Sequence, residues 1–139
     1  MANPISENMN IGTIGEILVQ LRLLQFGVQA APPLKDSGND LVALKESEVR
    51  TIQIKTSAKA TPRAKEKSLP KYFDILALVK LEWHSNSLML DASKVYLIRR
   101  EDIKLMATHK DRWLISKNWV EELFRPHSRC TSATVDVCS

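Results

Sequence analysis

Asp40-Leu-Val-Ala-Leu44, Lys45-Glu-Ser-Glu-Val-Arg50 and Thr51-Ile-Gln-Ile-Lys55-Thr56 follow one another in the chain as two apolar segments around a polar one. The two flanks have the length and the apolar, β-branched content of strands, and the polar hexapeptide Lys45 to Arg50 between them is short enough to force a hairpin. The strands then pair antiparallel, and folding about Ser47 sets Asp40 opposite Gln53 to Lys55 within a residue or so. Because side chains alternate along a strand, Gln53 and Lys55 share one face while Ile52 and Ile54 turn to the core. A carboxylate, a carboxamide and an ammonium thus converge at one end of the hairpin. Burying a lysine is costly unless it neutralises a charge, which a carboxylate, with a bound cation and a phosphate, would supply. A surface hairpin with its polar face in water also satisfies the pattern.

Upstream, Ile14, Ile17, Leu18, Leu21 and Leu24 follow the i, i+3, i+4, i+7 spacing of an amphipathic helix over 10–26, and Gly27 is placed to end it. Glu16 lies off that stripe beside Gly12, Gln20 and Leu23, as a solvated helix glutamate would. Gly12 and Gly15 weaken a helix start and point instead to a close backbone approach. Val28 to Leu34 is a short extended segment, followed by the turn-rich Lys35 to Asn39, in which Asp36 competes with Asp40 as a ligand. Asp40 is preferred because it opens the strand that pairs with Lys55.

Downstream, Ala58 to Pro70 reads as a loop at the mouth of the site. Tyr72 to Glu82 is a near-continuous apolar run, expected for a central strand covered on both faces. Leu88 to Asp91 and Val95 to Ile98 read as further strands, Glu101 to Ala107 as a helical turn, and Ser116 as the cap of a helix over Trp119 to Phe124. Trp113 and Trp119 sit among aliphatic residues and are expected in the core or at a subunit interface. The order predicts an α/β fold, a central mixed β-sheet flanked by helices, in a single domain over 1–125 with a disordered tail over 126–139.

The 139 residues carry a net +4. Residues 50–71 hold seven basic side chains against one acid, +6, which leaves −2 over the rest. A phosphate-contacting surface has that footprint, and so does a loop charged for solubility. No apolar run is long or charge-free enough for a membrane span or secretory signal. Cys130 and Cys138 read as reduced thiols, which predicts a cytoplasmic protein. His127 near Cys130 is too few ligands for a zinc site.

Glu16 in Gly12-Thr-Ile-Gly-Glu16, Asp40 in Gly38-Asn-Asp40-Leu-Val, and Gln53-Ile-Lys55-Thr-Ser57 together resemble, in order and spacing, the PD-(D/E)XK nuclease superfamily. The resemblance spans 12–100 and is closest to small bacterial endonucleases related to intron-encoded homing and junction-resolving members. It implies a restriction-endonuclease-like sandwich and a metal-dependent endodeoxyribonuclease. Glu16, Asp40 and Gln53 would be catalytic and hold Mg²⁺, with Mn²⁺ as a substitute, and Lys55 would position water or stabilise charge on phosphorus. Thr56 and Ser57 would donate to phosphate oxygens, and Lys59, Arg63, Lys65, Lys67 and Lys71 would contact DNA. Cutting two strands implies a homodimer or higher homo-oligomer. Two residues depart from the pattern: Gln53 replaces the usual second acid, and no proline precedes Asp40. A catalytically silent DNA-binding module and a protein-interaction subunit therefore remain as other readings.

Overall fold

The computed structural model describes residues 7–35, 38–60, 66–105 and 110–126. Helix α1 spans Glu7–Gln25 and is closed by Gly27, whose φ of 79° lets Val28 N–H donate to Leu23 O at 3.0 Å and Gly27 N–H to Leu24 O at 3.1 Å. The chain continues through β1 Gln29–Ala31, β2 Leu41–Lys45, β3 Glu48–Ser57, β4 Ile75–Lys80, β5 Trp83–His84, β6 Ser87–Leu88, β7 Lys94–Arg99 and α2 Lys117–Leu123. Five strands form one mixed sheet in the order β1-β2-β3-β4-β7, in which only β3 and β4 run parallel. The expected mixed α/β architecture is present. Among the described residues no helix is long and apolar enough to cross a membrane.

The β2–β3 hairpin forms, with a tighter turn than the sequence suggests. Lys45 pairs with Glu48 and Ala43 with Arg50, so strand pairing runs into the polar hexapeptide and only Glu46 and Ser47 turn. Glu46 takes φ 55° there, as two-residue hairpin turns require. Strand β4 is buried from Ile75 to Val79, as a central strand should be. One core cluster packs Leu18, Val19 and Leu23 of α1 and Val120 and Leu123 of α2 with Leu41, Ile52, Ala77 and Leu97 of the sheet. A second gathers Leu76, Leu78, Tyr96 and Ile98 with Ile103 and Trp113, from the 3₁₀ turns Arg100–Leu105 and Lys110–Trp113. Ser116 caps α2, its Oγ accepting from Trp119 N–H at 3.1 Å.

Three expectations are corrected. Of the stripe expected to form the core face of α1, Leu18 is buried and Ile14 packs against the core, but Ile17, Leu21 and Leu24 are 58%, 46% and 61% exposed; Val19 and Leu23 are inside instead. Of the expected strand Leu88 to Asp91 only Leu88 is extended; with Ser87 it pairs with Trp83–His84 in a separate two-stranded ribbon. Arg50 is buried rather than part of a basic surface. Its guanidinium donates to Glu48 Oε2 at 3.0 Å, Leu123 O at 3.2 Å and Arg125 O at 3.0 Å, and lies over the Phe124 ring, tying the end of α2 to β3. A charge that must satisfy buried carbonyls is not available to a phosphate.

Candidate active site

Register creates the site. Pairing between β2 and β3 starts at Leu41 opposite Ile52, whereas β3 runs on beside β4 as far as Ser57 opposite Lys80. Past Ile52, the side of β3 that faced β2 has no partner strand among the described residues. Asp40 closes the ladder there: its N–H donates to Ile52 O at 3.0 Å, and its Oδ2, in place of a main-chain carbonyl, accepts from Ile54 N–H at 2.7 Å. The carboxylate is thereby fixed by the same strand that carries Gln53 and Lys55.

Helix α1 reaches this gap through Gly15. A side chain at Gly15 would run into Thr56, with its Cβ 2.8 Å from Thr56 Cβ and Cγ2, so only glycine allows the helix to lie this close to β3. The following residue, Glu16, then lines the opening beside Asp40. Gly12 one turn earlier meets nothing within 4 Å and leaves that end open. The outcome is a cleft of about 650 Å³ bounded by Gly12, Glu16, Asp40, Gln53, Lys55 and Thr56, with Ser57 and Lys59 at one end. Four residues expected to work together, Glu16, Asp40, Gln53 and Lys55, are brought together from a helix, a loop and a strand.

Burial, and then the neighbouring Asp40 charge, raise the Glu16 pKa above the ordinary glutamate value. Gln53 Oε1 and Thr56 Oγ1 are buried and have no hydrogen-bond partner among the described residues, which is a cost that buried polar groups normally avoid. Lys55 is half-buried and makes no ion pair among them. Ser57 Oγ accepts from the N–H groups of Lys59 at 3.2 Å and Ala60 at 3.3 Å, which shapes the exit from β3. Among the described residues no three His, Cys, Asp or Glu side chains gather as a metal site; the cleft offers two carboxylates and a carboxamide.

Of the basic loop, Lys59, Lys67 and Lys71 are exposed, and Lys71 lies over the Tyr72 ring. Arg63 and Lys65 lie outside the described residues, as do Asp36, His127, Cys130 and Cys138. Sequence reasoning passed over Trp83 and Asn86, which stand beside the cleft on the β5–β6 ribbon. The signal was there: Ser85-Asn86 is a two-residue turn sequence after a Trp-His strand end.

No protein-family model and no curated protein matches the chain. Among solved structures, it is similar to the bacterial homing endonuclease I-Ssp6803I, with a TM-score of 0.46 and 18% identity, over 70% of this chain and 72% of that one. So distant a likeness adds no weight to a functional reading, which has to stand on the cleft.

Proposed function

We propose that this protein is a metal-dependent endodeoxyribonuclease of the PD-(D/E)XK type, hydrolysing DNA phosphodiester bonds with water as the nucleophile. The observation that carries this is the meeting of Glu16, Asp40, Gln53 and Lys55 in one cleft where Gln53 Oε1 is buried without a partner among the described residues. An orphaned acceptor beside two carboxylates calls for a cation. The donors are all hard oxygens, the set that suits Mg²⁺ or Mn²⁺. The raised proton affinity of Glu16 agrees: burial first, and the Asp40 charge second, disfavour its carboxylate, and a bound cation would offset both.

When bound, such an ion supplies charge neutralisation and Lewis-acid polarisation of the scissile phosphate. The chain does the rest. Asp40, held by Ile54 N–H, and Glu16, set by the Gly15 contact, would hold that ion, since carboxylates repel a bare phosphate. Lys55, next but one to Gln53 on β3, donates to the phosphate oxygens as charge builds on them in the transition state. Ser57, whose oxygen already accepts two N–H groups, keeps its own proton for a flanking phosphate. Lys59 and the basic residues beyond it extend the contact along DNA, and the protein acts as a homodimer so that two clefts address two strands.

Cleavage by Lys55→Ala is the test. Removing one preorganised donor to a developing charge costs about 10²- to 10³-fold in rate, with DNA affinity little changed. A variant that cuts as fast as the parent would refute the assignment. A DNA-binding module without catalysis is the second reading, favoured by Gln53, which brings no charge to the site; Mg²⁺-dependent nicking by the parent protein excludes it.

A further inference from the structure

A second pocket of about 410 Å³ opens beside the cleft and shares two walls with it, Ile11 and Ala58; the others are Asn10 and Ile14 of α1 and Trp83 and Asn86 of the β5–β6 ribbon. That size is within the range of small-molecule sites. None of the six residues is charged, whereas the cleft next door carries Glu16, Asp40, Lys55 and Lys59. The pocket therefore suits a neutral, flat group better than a phosphate or a cation. Trp83 is 42% exposed and supplies an aromatic face, Ile11 and Ile14 an aliphatic one, and the carboxamides of Asn10 and Asn86 both donate and accept.

The ribbon is held firmly for so short an element. Ser85 and Asn86 take φ 47° and 68°, the left-handed pair that suits a two-residue turn between Trp83–His84 and Ser87–Leu88. Leu88 packs on the main core, Met89 N–H donates to Glu82 O at 2.8 Å, and Arg22 of α1 donates to Leu90 O at 2.8 Å. The helix that carries Glu16 thus also walls this pocket and anchors the chain leaving the ribbon.

From this we infer that the pocket takes an unpaired nucleobase, stacked on Trp83 and read at its edge by Asn10 and Asn86, from a nucleotide adjoining the phosphate held in the cleft; the inference rests on the nuclease reading. A base within a continuous duplex presents no free face for stacking, and enzymes that need one act on single strands or extrude the base. The substrate class is then DNA with an extrahelical or single-stranded base next to the cut, rather than an uninterrupted duplex.

The experiment measures binding without divalent ions, so that no strand is cut. Two probes are compared, a duplex with a single bulged 2-aminopurine and the same duplex fully paired. The parent protein binds the bulged probe more tightly and quenches its 2-aminopurine by stacking. Trp83→Leu keeps an apolar wall but no aromatic face, and loses about five- to a hundredfold of affinity for the bulged probe only; Trp83→Phe retains it. Equal binding of both probes by the parent, or unchanged affinity and quenching in Trp83→Leu, overturns the inference. Failure of the nuclease reading shows itself separately, as a parent protein that never cuts DNA in Mg²⁺ even though its binding to the bulged probe depends on Trp83.

Discussion

Glu16 sits where its charge is least welcome, and that makes its titration informative. Its carboxyl holds a proton more tightly in the folded protein than in the unfolded chain, because of burial first and Asp40 second. The stability this proton confers is complete below the unfolded pKa, near pH 4.3, and is lost as pH rises through the higher folded value. Glu16→Gln, in EDTA, should therefore melt above the parent at pH 8 and lose that advantage at pH 4. A lower melting temperature at pH 8, or a gain that persists at pH 4, would show that the carboxylate is not destabilised here. Some of the residue scale was legible beforehand: strand alternation puts Gln53 and Lys55 on one face, and the hairpin brings Asp40 to them. Arg50 was not, since counting charges cannot tell a guanidinium over a phosphate from one donating to buried carbonyls at the end of α2.

At the scale of elements, the approach of α1 to β3 sets the geometry of the cleft, and two glycines in the same helix have opposite consequences. Gly15→Ala drives a methyl group into Thr56, and overpacking of this kind costs about 1–3 kcal/mol while shifting Glu16 away from Asp40. Gly12→Ala meets open space and gains helix propensity, up to about 1 kcal/mol. Urea unfolding of the two variants checks the contrast, and similar stabilities would mean that the helix does not rest on Thr56. On the buried face of α1, Leu18 was legible, whereas Val19 and Leu23 escaped sequence reading for a physical reason. Apolar residues occur all round the helix, in Ile14, Ile17, Leu18, Val19, Leu21, Leu23 and Leu24, so a 3.6-residue spacing can be traced on more than one side. The Gly15 contact, a close-packing event rather than a pattern of hydrophobicity, selects the face. The β2–β3 hairpin and β4 were legible because each has only one arrangement consistent with its length and alternation.

On the whole-molecule scale, the exposed part of the α1 stripe becomes significant. Ile17, Leu21 and Leu24 border a groove of about 380 Å³ with Gln20, Gln29 and Ala30, a surface without charge next to edge strand β1. Such a patch suits a second copy of itself across a two-fold axis, the symmetry that the proposed action on two strands needs. Light scattering at micromolar concentration should report a dimer, and Leu21→Glu should return it to monomer; a parent protein that is monomeric with and without DNA counts against the assembly. The claim on which everything else depends is the cation held by Glu16, Asp40 and Gln53, and calorimetric titration with Mn²⁺ addresses it without knowledge of the substrate. The parent should take up Mn²⁺ in the cleft, Asp40→Asn should lose that binding with its circular dichroism unchanged, and Gln53→Glu should bind more tightly. Mn²⁺ affinity that is absent in the parent, or the same in all three proteins, would contradict the account.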